Sequence, residues 1–90
     1  MQKIYRFELV ITDEQVITMP AGSKILPTVQ VREGKVVIWA VCTPSDKTGK
    51  VTIFIFGTGN SIPDEITDKR MKYLGTFQKD WFVGHVFAKI

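Results

Sequence analysis

A chain of 90 residues with twelve Lys and Arg against nine Asp and Glu carries a formal charge of +3 and one cysteine. That length allows one domain, one thiol allows no internal disulfide, and a basic excess scattered from Lys3 to Lys89 lacks the concentrated face of a duplex-DNA binder. A fold this small buries about 60 to 65% of the surface its unfolded chain exposes, so oligomerisation is the cheapest supplement to its core.

The N-terminal MQKIYRFELVITDEQ interleaves charged and apolar residues, with no secretory h-region or small-residue cleavage site. The longest apolar run, VVIWAVC at 36–42, is too short to span a bilayer. The expectation is a soluble cytoplasmic protein without membrane contact, its Cys42 a buried thiol in a reducing compartment.

Residues 4–11, IYRFELVI, set Tyr5, Phe7, Leu9 and Ile11 against Arg6 and Glu8, the pattern of a half-buried strand. A turn at 12–14 leads to a short strand QVITM, ended by Pro20-Ala21-Gly22. Residues 24–32 alternate Ile25, Val29 and Val31 against Lys24, Thr28, Gln30 and Arg32, and Pro27 puts this strand at an edge or starts it after the proline. REGK turns the chain into a strand over 35–42, and TPSDKTGK at 43–50 is a loop by composition. Strand 51–56 precedes the turn Gly57-Thr58-Gly59-Asn60. SIPDEITDKRM, with Ser61, Pro63, early acids and late Lys69 and Arg70, suits one or two helical turns. Two strands joined near Lys79-Asp80 complete the chain. The pattern predicts an all-β fold with one short helical turn, a small antiparallel β-sandwich or barrel of about seven strands in one domain over 1–90.

Three strands are apolar on both faces. Residues 36–42 set Val36, Ile38, Ala40 and Cys42 against Val37, Trp39 and Val41; residues 51–56 set Val51, Ile53 and Ile55 against Thr52, Phe54 and Phe56. Residues 81–88 set Trp81, Val83, His85 and Phe87 against Phe82, Gly84, Val86 and Ala88. Leaving large side chains wet forgoes about 1.5 to 3 kcal/mol each, so a partner subunit, the helical turn or a ligand must cover them. A symmetric homo-oligomer, dimer or tetramer, supplies an identical apolar face without further coding.

Catalytic chemistry is sparse. His85 is the only histidine and falls among apolar residues, where a hydrogen-bonded core or interface role is the simplest reading; one histidine and one cysteine make no zinc site. Asp64, Glu65 and Asp68 read as acids at a helix start. Pro44 and Val51 break the Walker pattern around Gly49-Lys50. We therefore expect no enzyme, no metal and no cofactor. Two loops have the chemistry to receive an anion: Thr43, Ser45, Lys47, Thr48 and Lys50 in one, and Gly57, Thr58, Gly59 and Asn60 in the other. Aromatic residues border them, and a base stacked on such a ring gains about 1 to 3 kcal/mol. The expected ligand is a small anionic nucleotide-like molecule held at subunit boundaries, stacked on Trp39, Phe77 or Trp81. Thr43, Lys47, Lys50, the 57–60 turn, Gln78 and His85 would bind phosphate or base edges. An apolar strand face docking a host enzyme or virion component is the alternative, and a nucleotide hydrolase the third.

The order ITDEQ.I.MP.G.KIL, WA, GTG..IP, Y.GTFQ and HVF closely resembles a family of small uncharacterised phage-encoded proteins over nearly the whole chain. It rests on Thr12 to Gln15, Met19-Pro20, Gly22, Lys24 to Leu26, Trp39-Ala40, Gly57 to Gly59, Ile62-Pro63, Gly75 to Gln78 and His85 to Phe87, while Asn60 stands where the pattern has histidine. The resemblance implies a phage origin, hence the cytoplasm of an infected bacterial host, and no enzymatic motif. By analogy it implies a sponge of the anti-CBASS type, which sequesters immune cyclic dinucleotides.

Overall fold

Period-two burial sorts the chain into eight strands in the computed structural model, which describes residues 1–67 and 70–89. They are β1 (Lys3–Leu9), β2 (Glu14–Pro20), β3 (Lys24–Ile25), β4 (Gln30–Arg32), β5 (Lys35–Cys42), β6 (Thr48–Gly57), β7 (Met71–Lys79) and β8 (Phe82–Lys89). In the first sheet β5 is central, with β1 on one side and β3 and β4 in tandem on the other. The second sheet has the order β2-β6-β8-β7, and every pairing is antiparallel.

The sheets pack face to face, which makes the fold an all-β antiparallel sandwich. Leu9, Ile25, Val36, Ile38, Ala40 and Cys42 from the first meet Met19, Ile53, Ile55, Leu74, Phe77, Val86 and Ala88 from the second in one cluster. A 3-10 turn at Asp64–Thr67 takes the place of the expected helical turns, and Ile66 N–H donates to Pro63 O across it. Asp68 and Lys69 lie outside the described residues. No helix among the described residues is long and apolar enough to cross a membrane.

The count is eight rather than seven because Pro27 divides the predicted strand 24–32. Leu26 N–H still donates to Trp39 O, but after the proline Thr28 N–H turns back to Leu26 O, and pairing with β5 resumes only at Gln30. Three boundaries also move. β1 stops at Leu9 because the Gln15 side chain takes both backbone groups of Val10, accepting from its N–H at 3.1 Å and donating to its C=O at 2.7 Å. β6 begins at Thr48, opposite Pro20, so the loop expected over 43–50 is confined to 43–47. Trp81 leaves the predicted strand 81–88 for the two-residue β7–β8 turn, where Asp80 takes a φ of 56°.

One irregularity shapes the second sheet. Tyr73 opposes Phe87 and Gly75 opposes Val86, so Leu74 is an extra residue and β7 changes phase. Leu74 turns into the core, 2% exposed. Gly75 adopts a φ of 155°, and a Cβ there would lie 3.3 Å from Val29 Cγ2 and 3.4 Å from Val29 N. The missing side chain lets the segment before β4 close over β7, and Lys72 Nζ donates to Ile25 O at 2.8 Å across the same side.

Gly84 is held to glycine by packing. A Cβ there would sit 2.6 Å from two ring atoms of Phe77, itself 4% exposed, and 2.8 Å from Phe82. Gly84→Ala is expected to cost about 1 to 3 kcal/mol in urea unfolding, because a buried ring must move. Cys42 is fully buried, within 3.1 Å of the Ser23 hydroxyl. A thiol reagent should label it only after denaturation, one equivalent per chain, and rapid native labelling would contradict this packing.

Candidate functional site

The second sheet turns an aromatic face outward. Phe54 and Phe56 alternate with the core residues of β6, and across the ladder Phe54 opposes Phe87 and Phe56 opposes His85. On the far side of β8, Tyr73 opposes Phe87 and Thr76 opposes His85. Ring centroids are 6.0 Å apart from Phe54 to Phe56, 6.2 Å from Phe56 to Phe87 and 5.3 Å from Tyr73 to Phe87, so four rings form a continuous floor.

The turn after β6 closes one end of this floor. Asn60 N–H donates to Gly57 O and Thr58 N–H to Val83 O, both at 3.1 Å, which fixes Thr58 beside β8. Its Oγ1 is hydrogen-bonded to His85 Nε2 at 2.7 Å. His85 Nδ1 is hydrogen-bonded to Thr76 Oγ1 at 3.0 Å, and Thr76 Oγ1 to the Tyr73 hydroxyl. Tyr73 and Thr76 are three residues apart, yet both face outward because the Leu74 bulge lies between them.

A neutral imidazole donates from one nitrogen and accepts at the other. In one tautomer Thr58 donates to Nε2, Nδ1–H donates to Thr76, and Thr76 donates to Tyr73, which leaves the Tyr73 proton free. In the other tautomer every bond reverses and the free proton belongs to Thr58. The chain Thr58–His85–Thr76–Tyr73 thus offers a donor at one end and an acceptor at the other, in either order.

These groups rim a cleft of about 430 Å³ with Phe56, Ile62 and Phe87 as its apolar walls. That volume suits a small planar ligand. Past Asn60 a second depression follows Phe54 to Asp13 and Glu14 at the sheet edge. None of the residues that line the cleft is Lys or Arg. Among the described residues no group of three or more His, Cys, Asp or Glu is placed to hold a metal ion.

Of the residues singled out in the sequence, Gly57, Thr58, Gly59, Asn60 and His85 meet at this cleft. Trp81, 88% exposed, borders a neighbouring depression with Thr58 and Asn60, and Gln78 is exposed with its Nε2 donating to Asp80 O at 3.4 Å. The remaining positions do not converge there. Phe77 packs in the core and has no face to offer a ligand. Trp39 opposes Arg6 in the first sheet, away from the cleft. Lys47 lies in the loop that also carries Thr43, at the start of β6, and Lys50 is six residues from Phe56, about 20 Å along an extended strand. Tyr73, which the sequence placed only among the aromatics bordering the two loops, completes the cleft with Thr76, Phe56, Phe87 and Ile62; the signals for these were the GTG..IP, Y.GTFQ and HVF stretches and the doubly apolar strands that carry Phe56 and Phe87.

No curated protein and no solved structure matches the chain. A family model described as a domain of unknown function, DUF7352, matches residues 1–90, and the chain belongs to that family.

Proposed function

We propose that this domain is a non-catalytic binding module, self-associating, whose cleft on the second sheet captures the planar heteroaromatic part of a nucleotide-like ligand. The observation that carries the reading is the chain Thr58–His85–Thr76–Tyr73 set along an aromatic floor. A nucleobase combines a π-face with neighbouring donors and acceptors on its edge, and both halves find partners here. Without Lys or Arg in the cleft, base contacts supply the affinity, and the anionic part of the ligand lies toward solvent beside Gly59 and Asn60. Binding is favoured over turnover because both ring nitrogens of His85 are engaged by neutral hydroxyls, and no Asp or Glu is among the described residues that line the cleft. Together with the phage-type sequence pattern, this supports sequestration of a cyclic dinucleotide signal in an infected cell.

Titration calorimetry against a panel of cyclic dinucleotides and mononucleotides should give a micromolar or tighter Kd for at least one, with the ligand recovered unaltered by chromatography. His85→Ala should weaken that binding at least about tenfold, or about 1.4 kcal/mol. Tyr73→Phe, which removes one end of the chain, should weaken it about three- to tenfold. Absence of heat for every nucleotide would reject the ligand class.

A protein-docking reading draws on Trp81, which borders an apolar depression with Ile11 and Phe82 at one end of the sandwich. Exposed tryptophans often dominate interface energies. Under it, wild-type protein but not Trp81→Ala should retain one stoichiometric host protein.

A further inference from the structure

The described strands leave β1 unpaired on the side away from β5. Sheet edges are normally blunted by proline, bulges or covering segments. The other edges show this: β3 and β4 are split by Pro27, β7 is bulged and approached by Val29, and β2 ends in Pro20. β1 has seven consecutive residues in regular pairing with β5 and no proline or bulge; only past its end does the Gln15 side chain cover the edge, holding both backbone groups of Val10, so the open stretch is Ile4 to Glu8, and its charges are of both signs.

Its sequence is also complementary to itself. If two copies of β1 run antiparallel about Phe7, Phe7 faces Phe7, Tyr5 faces Leu9, and Arg6 of each copy faces Glu8 of the other. Arg6 and Glu8 share the outer face of the first sheet, since their intervening neighbours point to the core. Glu8 has one carboxylate oxygen, Oε2, on Lys35 Nζ at 3.4 Å, and the second remains for the opposing Arg6. The same register brings the side chains of Ile4, 61% exposed, and Val10, 64% exposed, together on one face, while the Val10 backbone, held by Gln15, stays outside the added ladder. β2 has no such complementarity, because Glu14 is its only charged residue.

We infer that β1 is a self-association edge: a second copy of this chain adds to it antiparallel, centred on Phe7, and joins the two first sheets into one continuous sheet. The contact is isologous, so each Arg6–Glu8 pair occurs twice. It specifies the self-association named in the proposed function and requires nothing of the cleft, which lies on the other sheet.

Light scattering should give twice the 10.2 kDa chain mass at micromolar concentration, with dissociation promoted by salt that screens the exposed pairs. Arg6→Glu and Glu8→Arg should each weaken the dimer at least about tenfold, because each sets like charges opposite one another twice. The double exchange should restore it to within about threefold of wild type. Amide exchange in the unaltered protein supplies a readout without substitution: the β1 amides that β5 leaves free should gain protection as concentration rises, and the free amides of β2 should not. Nucleotide titration of the same samples separates the two readings, since loss of the dimer with cleft binding intact, or the reverse, assigns failure to one alone. A solitary 10.2 kDa particle, single reversals that leave the dimer unchanged, a double exchange that fails to restore it, or β1 protection independent of concentration would each overturn the inference.

Discussion

Because β7 carries one residue more than β8 between Tyr73 and Gly75, its side chains change phase midway, and both the core and the cleft depend on that change. Before the bulge Tyr73 points outward; after it Thr76 does, while Leu74 and Phe77 point inward. A regular strand could not place Tyr73 and Thr76 together beside His85 and also bury Leu74 and Phe77. Gly75 makes the irregularity sterically possible, and Val29 occupies the space it leaves. The bulge therefore supplies a core contact and a polar chain with the same residue.

This is also where a period-two reading of the sequence loses the structure. The sequence pattern located seven strand segments, one of which the fold splits into β3 and β4, and Pro27 was legible as an edge feature. The bulge has no such signal, since GTFQ reads as a continuous strand. Carried past Gly75 without a phase change, alternation sets Phe77 on the face of Tyr73 and makes it a stacking residue; in the fold it lies over Gly84 in the core. Trp39 is a different case: it lies in the first sheet, away from the cleft, and which sheet a strand joins is set by long-range pairing that no local pattern reports. The Gly57–Asn60 turn was visible because glycine and asparagine mark turns directly. Its partner Thr76 was not, because the two meet only through His85 on a third strand.

The doubly apolar strands posed a problem of cover, and the single chain solves part of it. Phe56 is 8% exposed and lines the cleft with Asn60 and Ile62 from the following segment. On the first sheet Val37 is 1% exposed between Glu8 and Gln30, whose aliphatic stems flank it in register. What stays open is more specific than a generic apolar surface. It includes the half-exposed Tyr73 ring with its hydroxyl chain, Trp81 in the β7–β8 turn, and the edge of β1 with Ile4 and Val10 at its ends.

The cleft and the β1 edge lie on different sheets, whereas the sequence reading placed ligand and partner at one boundary. A receptor built where copies meet would need residues of both chains around the ligand. Here the hydroxyl–imidazole chain, the aromatic floor and the 57–60 turn all come from β6, β7, β8 and the turn that follows β6, so one copy holds a whole cleft. Pairing through β1 would extend the first sheet and leave the outer face of the second uncovered. Association of that geometry would multiply clefts without assembling them, so each would act with its own affinity, and the reversible polarity of the Thr58–His85–Thr76–Tyr73 chain would let a single cleft present either order of donor and acceptor to a base edge.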